Sequence, residues 1–148
     1  MSGGPASGPP ARGPGTWPVL AVIAAGGSLG AVARYAASLA WPVSGPGFPW
    51  TVFAVNVTGC ALIGVLMVLT VERARVTRPL VRPFLGVGVL GGFTTFSTYA
   101  ADVSRLLVRQ EVATALAYAA ATAVAALAAV WGAAALTRAL VDGRGRVS

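Results

Sequence analysis

Charge in this chain, Arg34 apart, is confined to the joints and flanks of four long apolar stretches. Val19 to Ala40 spans 22 residues with Arg34 as its only charge, and Thr51 to Val71, Pro83 to Ala101 and Val112 to Thr137 span 21, 19 and 26 residues with none. Each is about as long as the ~20 residues an α-helix needs to cross a bilayer's hydrocarbon core. In that medium every backbone group must be satisfied internally, which leaves helices or closed barrels. The spacing therefore predicts an all-α membrane protein with four transmembrane helices at about 19–40, 51–71, 83–101 and 112–137. The first run is too long for a signal-peptide core, and three more follow it. Residues 1–16, rich in Gly, Pro, Ser and Ala, read as a disordered tail. Residues 17–140 form the transmembrane domain, and 141–148 a basic C-terminal tail.

The charged residues also exclude function classes. All eleven basic residues are arginine, histidine is absent, and the acids are Glu72, Asp102, Glu111 and Asp142. General acid–base, zinc and Schiff-base chemistry lack their usual side chains, so no enzyme is expected. The single cysteine, Cys60, cannot form an intrachain disulfide and reads as a small buried residue. The net charge of +7 lies in short segments beside apolar runs. That placement follows the positive-inside rule rather than a nucleic-acid surface. With the N-terminus inside, one side holds eight arginines and the other three. This favours a multi-pass protein of the bacterial plasma membrane with both termini in the cytoplasm.

The third run contains Gly91-Gly92-Phe93-Thr94-Thr95-Phe96-Ser97-Thr98-Tyr99. Paired glycines weaken a helix, and adjacent hydroxyls compete for its backbone hydrogen bonds. A break here, mid-membrane, is tolerated only where the opened backbone lines a cavity, binds an ion or is buried against protein. Small residues at a helix–helix contact would account for the same composition without a ligand.

Other polar positions recur at helical spacing. Asn56 lies inside the second run and is either interhelical glue or an NH₂ donor to an anion. Arg34 either snorkels to the interface or acts as a pore-mouth cation or a cap on carbonyls. Tyr118 and Thr122, four residues apart, form a polar stripe. Gly26-x-x-x-Gly30, with Ala33 and Ala37, forms a close-packing face, and Asp102, Arg105, Arg109 and Glu111 read as a solvated helical face. Moving a small ion into a low-dielectric core costs ~20 kcal/mol by idealised Born arithmetic, against about 1.5–3 kcal/mol returned per charged hydrogen bond. Several donors must therefore converge. Asn56, Thr95, Ser97, Thr98, Tyr118 and Thr122 supply them, Phe96 and Tyr99 add ring edges, and the want of buried acids favours an anion.

The nonapeptide, together with Val55-Asn56-Val57-Thr58-Gly59 and Gly30-Ala31-Val32-Ala33-Arg34-Tyr35, closely resembles the Fluc (CrcB) fluoride channels, from about Gly26 to Thr137. The resemblance implies passive export of fluoride from the cytoplasm by an antiparallel dimer of four-helix subunits with a structural, untransported sodium ion. It implies that Gly91 and Thr94 carbonyls hold the sodium and that Asn56 and Phe96 line the fluoride path, with Thr95, Ser97 and Thr98 nearby. Tyr118 and Thr122 would form a polar track, Arg34 would match the family's first-helix arginine, and Asp102 stands where the family often has a glutamate near the pore end. Tyr99 replaces the family's second phenylalanine, and Ala126 replaces a serine. The arginine bias is stronger than a dual-topology homodimer needs, which admits a heterodimer with an oppositely inserted relative. A four-helix multidrug antiporter would need an embedded carboxylate, which the first three runs lack, and a non-transporting scaffold leaves Asn56 and the Phe/Thr/Ser segment unexplained.

Overall fold

The computed structural model describes residues 15–42, 47–72 and 78–144. Among these every regular element is helical: α1 (Thr16–Ala40), α2 (Trp50–Met67, prolonged by a wide π turn over Val68–Glu72), α3 (residues 83–93, π-helical over Pro83–Leu90 and α-helical over Gly91–Phe93), α4 (Phe96–Val108) and α5 (Val112–Arg144). They make four helices long and apolar enough to cross a membrane, with α3 and α4 sharing the third span.

The helices outrun the uncharged runs. The first starts at Thr16, the third span continues to Val108 instead of ending near residue 101, and α5 reaches Arg144, so residues 141–144 are helical where a tail was expected. Charge marks where the hydrocarbon ends, whereas i→i+4 hydrogen bonding continues into water. Residues 1–14 and 145–148, which hold most of the two expected tails, lie outside the described residues.

α1 packs along α3, α2 along α5, and α4 against α5. The α1–α3 seam is made of backbone. A methyl group on Gly30 would overlap the Val89 carbonyl oxygen and come within 2.7 Å of Phe93 N, and one on Gly92 would overlap the Gly27 carbonyl. A methyl group on Gly26 would come within 2.5 Å of the Phe84 carbonyl oxygen and 3.0 Å of Gly88 Cα. Two small-residue rows, Gly26-x-x-x-Gly30 and Gly88-x-x-x-Gly92, thus face each other, which lets dispersion act between main chains in a solvent that gives no hydrophobic push. On the α2–α5 seam Gly64 is met by the Val130 carbonyl.

Side chains secure the ends. Arg138 Nε and Nη2 donate to the two Glu72 carboxylate oxygens at 2.7 and 2.6 Å, a forked pair joining α5 to the end of α2. At the other end, Gln110 (φ 62°) reverses the chain between α4 and α5. Gln110 N–H donates to Leu107 O and Glu111 N–H to Leu106 O, the Schellman pattern that satisfies the last carbonyls of a helix. Beside this turn Leu106, Ala115 and Tyr118 form a buried cluster on which Phe48, Phe53, Tyr99 and Val103 pack. Phe48, from the α1–α2 connection, meets the Tyr118 ring edge-on at 5.2 Å.

Candidate functional site

Helical dihedrals lapse at two residues of the third span. Thr94 (φ −74°, ψ 154°) and Thr95 (φ −146°, ψ 119°) are extended between α3 and α4. Thr94 N–H and Oγ1 both donate to Leu90 O, at 3.0 and 2.9 Å, closing off α3. Thr95 Oγ1 accepts from Thr98 N–H at 3.1 Å as the N-cap of α4, and donates to Thr98 Oγ1 at 3.0 Å. Ser97 Oγ lies 3.3 Å from the same oxygen.

Asn56 supplies what the helix gives up. Its Oδ1 accepts from Thr95 N–H at 2.9 Å and its Nδ2 donates to Thr95 O at 3.1 Å, so one amide side chain pairs with both backbone groups of a residue 39 positions away. Two carbonyls thereby lose their usual donors. The amide that would close on Gly91 O is Thr95 N–H, taken by Asn56, and the one that would close on Thr94 O is Thr98 N–H, taken by the Thr95 hydroxyl. Arg34 Nε donates to Gly92 O at 3.3 Å, a carbonyl-capping contact from α1 to the last turn of α3.

An open groove of about 390 Å³ runs beside this interruption, lined by α2 (Asn56, Cys60, Ile63), by residues 94–96 and 99, and by α5 (Thr122, Ala123, Ala126). No charged side chain among the described residues lines it. Of the residues singled out in the sequence it gathers Asn56, Thr94, Thr95, Phe96, Tyr99 and Thr122. Phe96 is 78% exposed, with its ring 5.8 Å from that of Tyr99. Tyr99 OH turns to Ala119 O at 3.3 Å, tying α4 to α5. Thr122 is 6% exposed and its hydroxyl has no partner among the described residues.

The remaining candidates lie off the groove. Ser97 and Thr98 belong to the capping cluster, and Gly91 is exposed, with open space where a side chain would be. Tyr118 is fully buried in the aromatic cluster, and its hydroxyl has no partner among the described residues. Asp102 corrects the solvated-face expectation. It does pair with Arg105, Nη1 to Oδ1 at 2.9 Å, but it is buried, and its Oδ2 has no partner among the described residues. Sequence reasoning missed Cys60 and Ile63 as lining residues, although Asn56, Cys60 and Ile63 follow the i, i+4, i+7 spacing of one helix face. Among the described residues no group of three or more His, Cys, Asp or Glu could hold a metal. The groups suited to a hard cation are backbone oxygens such as those of Gly91 and Thr94.

Four apolar spans beside a largely apolar groove that carries a few amide and hydroxyl groups define a small multi-pass membrane protein whose site suits an ion in transit. The chain belongs to the CrcB-like protein, Camphor Resistance (CrcB) family, which matches residues 21–134. It is 61% identical over 114 residues to fluoride-specific ion channel FluC 1 of Streptomyces coelicolor, covering 77% of this chain and 73% of that protein. It is 55% identical over 122 residues to FluC 2 of Nocardia farcinica, covering 82% and 86%, and 50% identical over 127 residues to FluC 2 of Thermobifida fusca, covering 86% and 93%. Both are again named as fluoride-specific ion channels.

Proposed function

We propose that this chain forms a passive, fluoride-selective channel through which fluoride leaves the cytoplasm, lowering its toxicity. The observation that carries the reading is the groove lined by Asn56, Thr95, Phe96, Tyr99 and Thr122 without a charged side chain. A carboxylate there would repel an anion, and an arginine would hold it too tightly to release. Weak donors and the positive rims of aromatic rings suit an ion that must enter and leave. Asn56 keeps a second amide hydrogen beyond its bond to Thr95, and the Thr122 hydroxyl, buried in the wall, has no partner among the described residues. The names of the relatives support fluoride as the ion.

Those two donors return about 3–6 kcal/mol at most, near or below the effective cost of dehydrating a small ion. This supports a dimer in which a second chain completes the path, either a homodimer of antiparallel subunits or a heterodimer with an oppositely inserted relative. Gly91, exposed on one chain, fits such a contact. A structural sodium ion would be held there by the Gly91 and Thr94 carbonyls of both chains, supplying positive charge at the contact. The site sits in a lipid bilayer, read as the bacterial plasma membrane with both termini inside. An inside-negative potential of ~100 mV favours anion exit by about 2.3 kcal/mol per charge, so no coupled reaction is required.

Fluoride efflux from liposomes holding the purified chain, under a valinomycin-set potassium gradient with chloride competing, tests this. Fluoride loss without chloride loss is the expected result. Equal passage of chloride, or no fluoride loss even with an oppositely oriented relative co-reconstituted, overturns it.

A further inference from the structure

Phe96 stands 78% exposed in the groove, and its ring meets that of Tyr99 at 5.8 Å and a 44° tilt. Tyr99 is fixed at both ends of its long axis, by the backbone of α4 and by its hydroxyl, which donates to Ala119 O. Such a ring keeps one freedom, rotation about that axis, and this rotation exchanges its positive edge for its negative face. The ring of Tyr118, 5.4 Å away, stands against it. Tyr118 in turn is fully buried, and no group among the described residues anchors its hydroxyl. Its direction is set by the rings against it, and Phe48 meets it edge-on at 5.2 Å and 90°. Phe48, Tyr118, Tyr99 and Phe96 thus form a row from the α1–α2 connection to the groove, and Phe48 begins it without lining the groove.

Phe48 is itself firmly held. Gly47 (φ 128°) turns the chain ahead of it, and the buried Pro49 behind it keeps it out of the helical region. Trp50 N–H donates to Phe48 O at 2.9 Å, and the Phe48 ring also meets Trp50 at 4.4 Å and Phe53 at 5.5 Å.

We propose that Phe48 is a positioning residue for the groove: acting through Tyr118 and Tyr99, it fixes the tilt at which the Phe96 and Tyr99 ring edges meet an anion. The effect on ions rests on the fluoride reading, and the coupling of the rings does not.

The full chain labelled with 3-fluorotyrosine carries three reporters, Tyr35, Tyr99 and Tyr118, assigned by Tyr35→Phe, Tyr99→Phe and Tyr118→Phe. Phe48→Leu keeps an apolar side chain and removes the ring. The ¹⁹F resonances of Tyr118 and Tyr99 should both shift, while that of Tyr35, exposed on α1, stays. A shift at Tyr118 alone, the mark of a local packing role, overturns the proposal. Should Phe48→Leu not elute as the parent protein does, the row is read from its exposed end. Phe96→Leu should then shift Tyr99 and Tyr118 together, and a change confined to Tyr99 overturns the proposal equally. In liposomes Phe48→Leu should lower the fluoride-to-chloride efflux ratio by roughly 2–10-fold, the factor one aromatic pair is worth, and Phe48→Tyr, which keeps a ring edge, should preserve it. Shifted resonances with an unchanged ratio overturn the effect on ions. A parent protein that passes no fluoride counts against the channel reading, and the resonances still decide the coupling.

Discussion

Two polar regions of the molecule treat their hydrogen bonds in opposite ways. At residues 94–98 every hydroxyl has a partner: Thr94 on Leu90 O, Thr95 on Thr98, Ser97 on Thr95. The Asn56 amide takes both backbone groups of Thr95. Between α4 and α5, by contrast, Asp102 Oδ2, Tyr118 OH and Thr122 Oγ1 are buried with no partner among the described residues. A satisfied cluster fixes a conformation, and an unsatisfied one costs stability. The hydroxyls in the interruption hold the backbone open; on α5 the Tyr118 and Thr122 hydroxyls stay buried in the packing, Thr122 in the groove wall and Tyr118 away from it.

That contrast can be broken by substitution. Asn56→Leu leaves Thr95 N–H and O unpaired at once and should lower stability by about 2–4 kcal/mol and abolish efflux. Thermal unfolding in detergent reads the first effect, and little change in melting temperature would mean that the interruption holds itself. Thr95→Val removes the N-cap of α4, an expected loss of about 0.5–2 kcal/mol in the same assay. Thr122→Val sharpens the comparison because its sign differs. Removing an unpaired buried hydroxyl should leave stability unchanged or raise it by up to ~1 kcal/mol while fluoride efflux falls. A destabilised Thr122→Val protein would mean that the hydroxyl is structural after all. The smallest effect is expected from Tyr99→Phe, which removes one 3.3 Å bond to Ala119 O. It should cost less than ~1 kcal/mol and keep fluoride selectivity over chloride, and a large drop in efflux would put the hydroxyl on the ion instead.

The four spans were legible because charge placement is a one-dimensional property, and the lipid imposes one length on every crossing. Helix ends were less so, since the uncharged run stops at Ala101 while α4 continues to Val108 through the i, i+3 pair of Asp102 and Arg105. Asn56 and Thr122 stood out as polar residues in apolar runs, but nothing in their identity says which one is consumed by the fold. That depends on Thr95 lying opposite Asn56, a contact across 39 residues. The Gly88-x-x-x-Gly92 row is present in the sequence, but the small-residue contact weighed there covers residues 91–99 and stops short of Gly88.

The forked Arg138–Glu72 pair sets α2 and α5 level at one end, and this has a consequence for the other. From Glu72 back to Trp50, α2 runs 23 residues, or about 35 Å at 1.5 Å per residue. From Arg138 back to Val112, α5 runs 27, or about 40 Å. Side by side, α5 overshoots its neighbour by about 5 Å and lifts the Gln110 turn beyond Trp50, the first residue of α2. Of the uncharged stretches, the 21 residues along α2 cover about 32 Å and match a hydrocarbon core of ~30 Å, whereas the 26 of α5 cover about 39 Å, so the lipid beside α5 must thicken or α5 must lean. Acyl-chain length thereby becomes a mechanical variable for this protein.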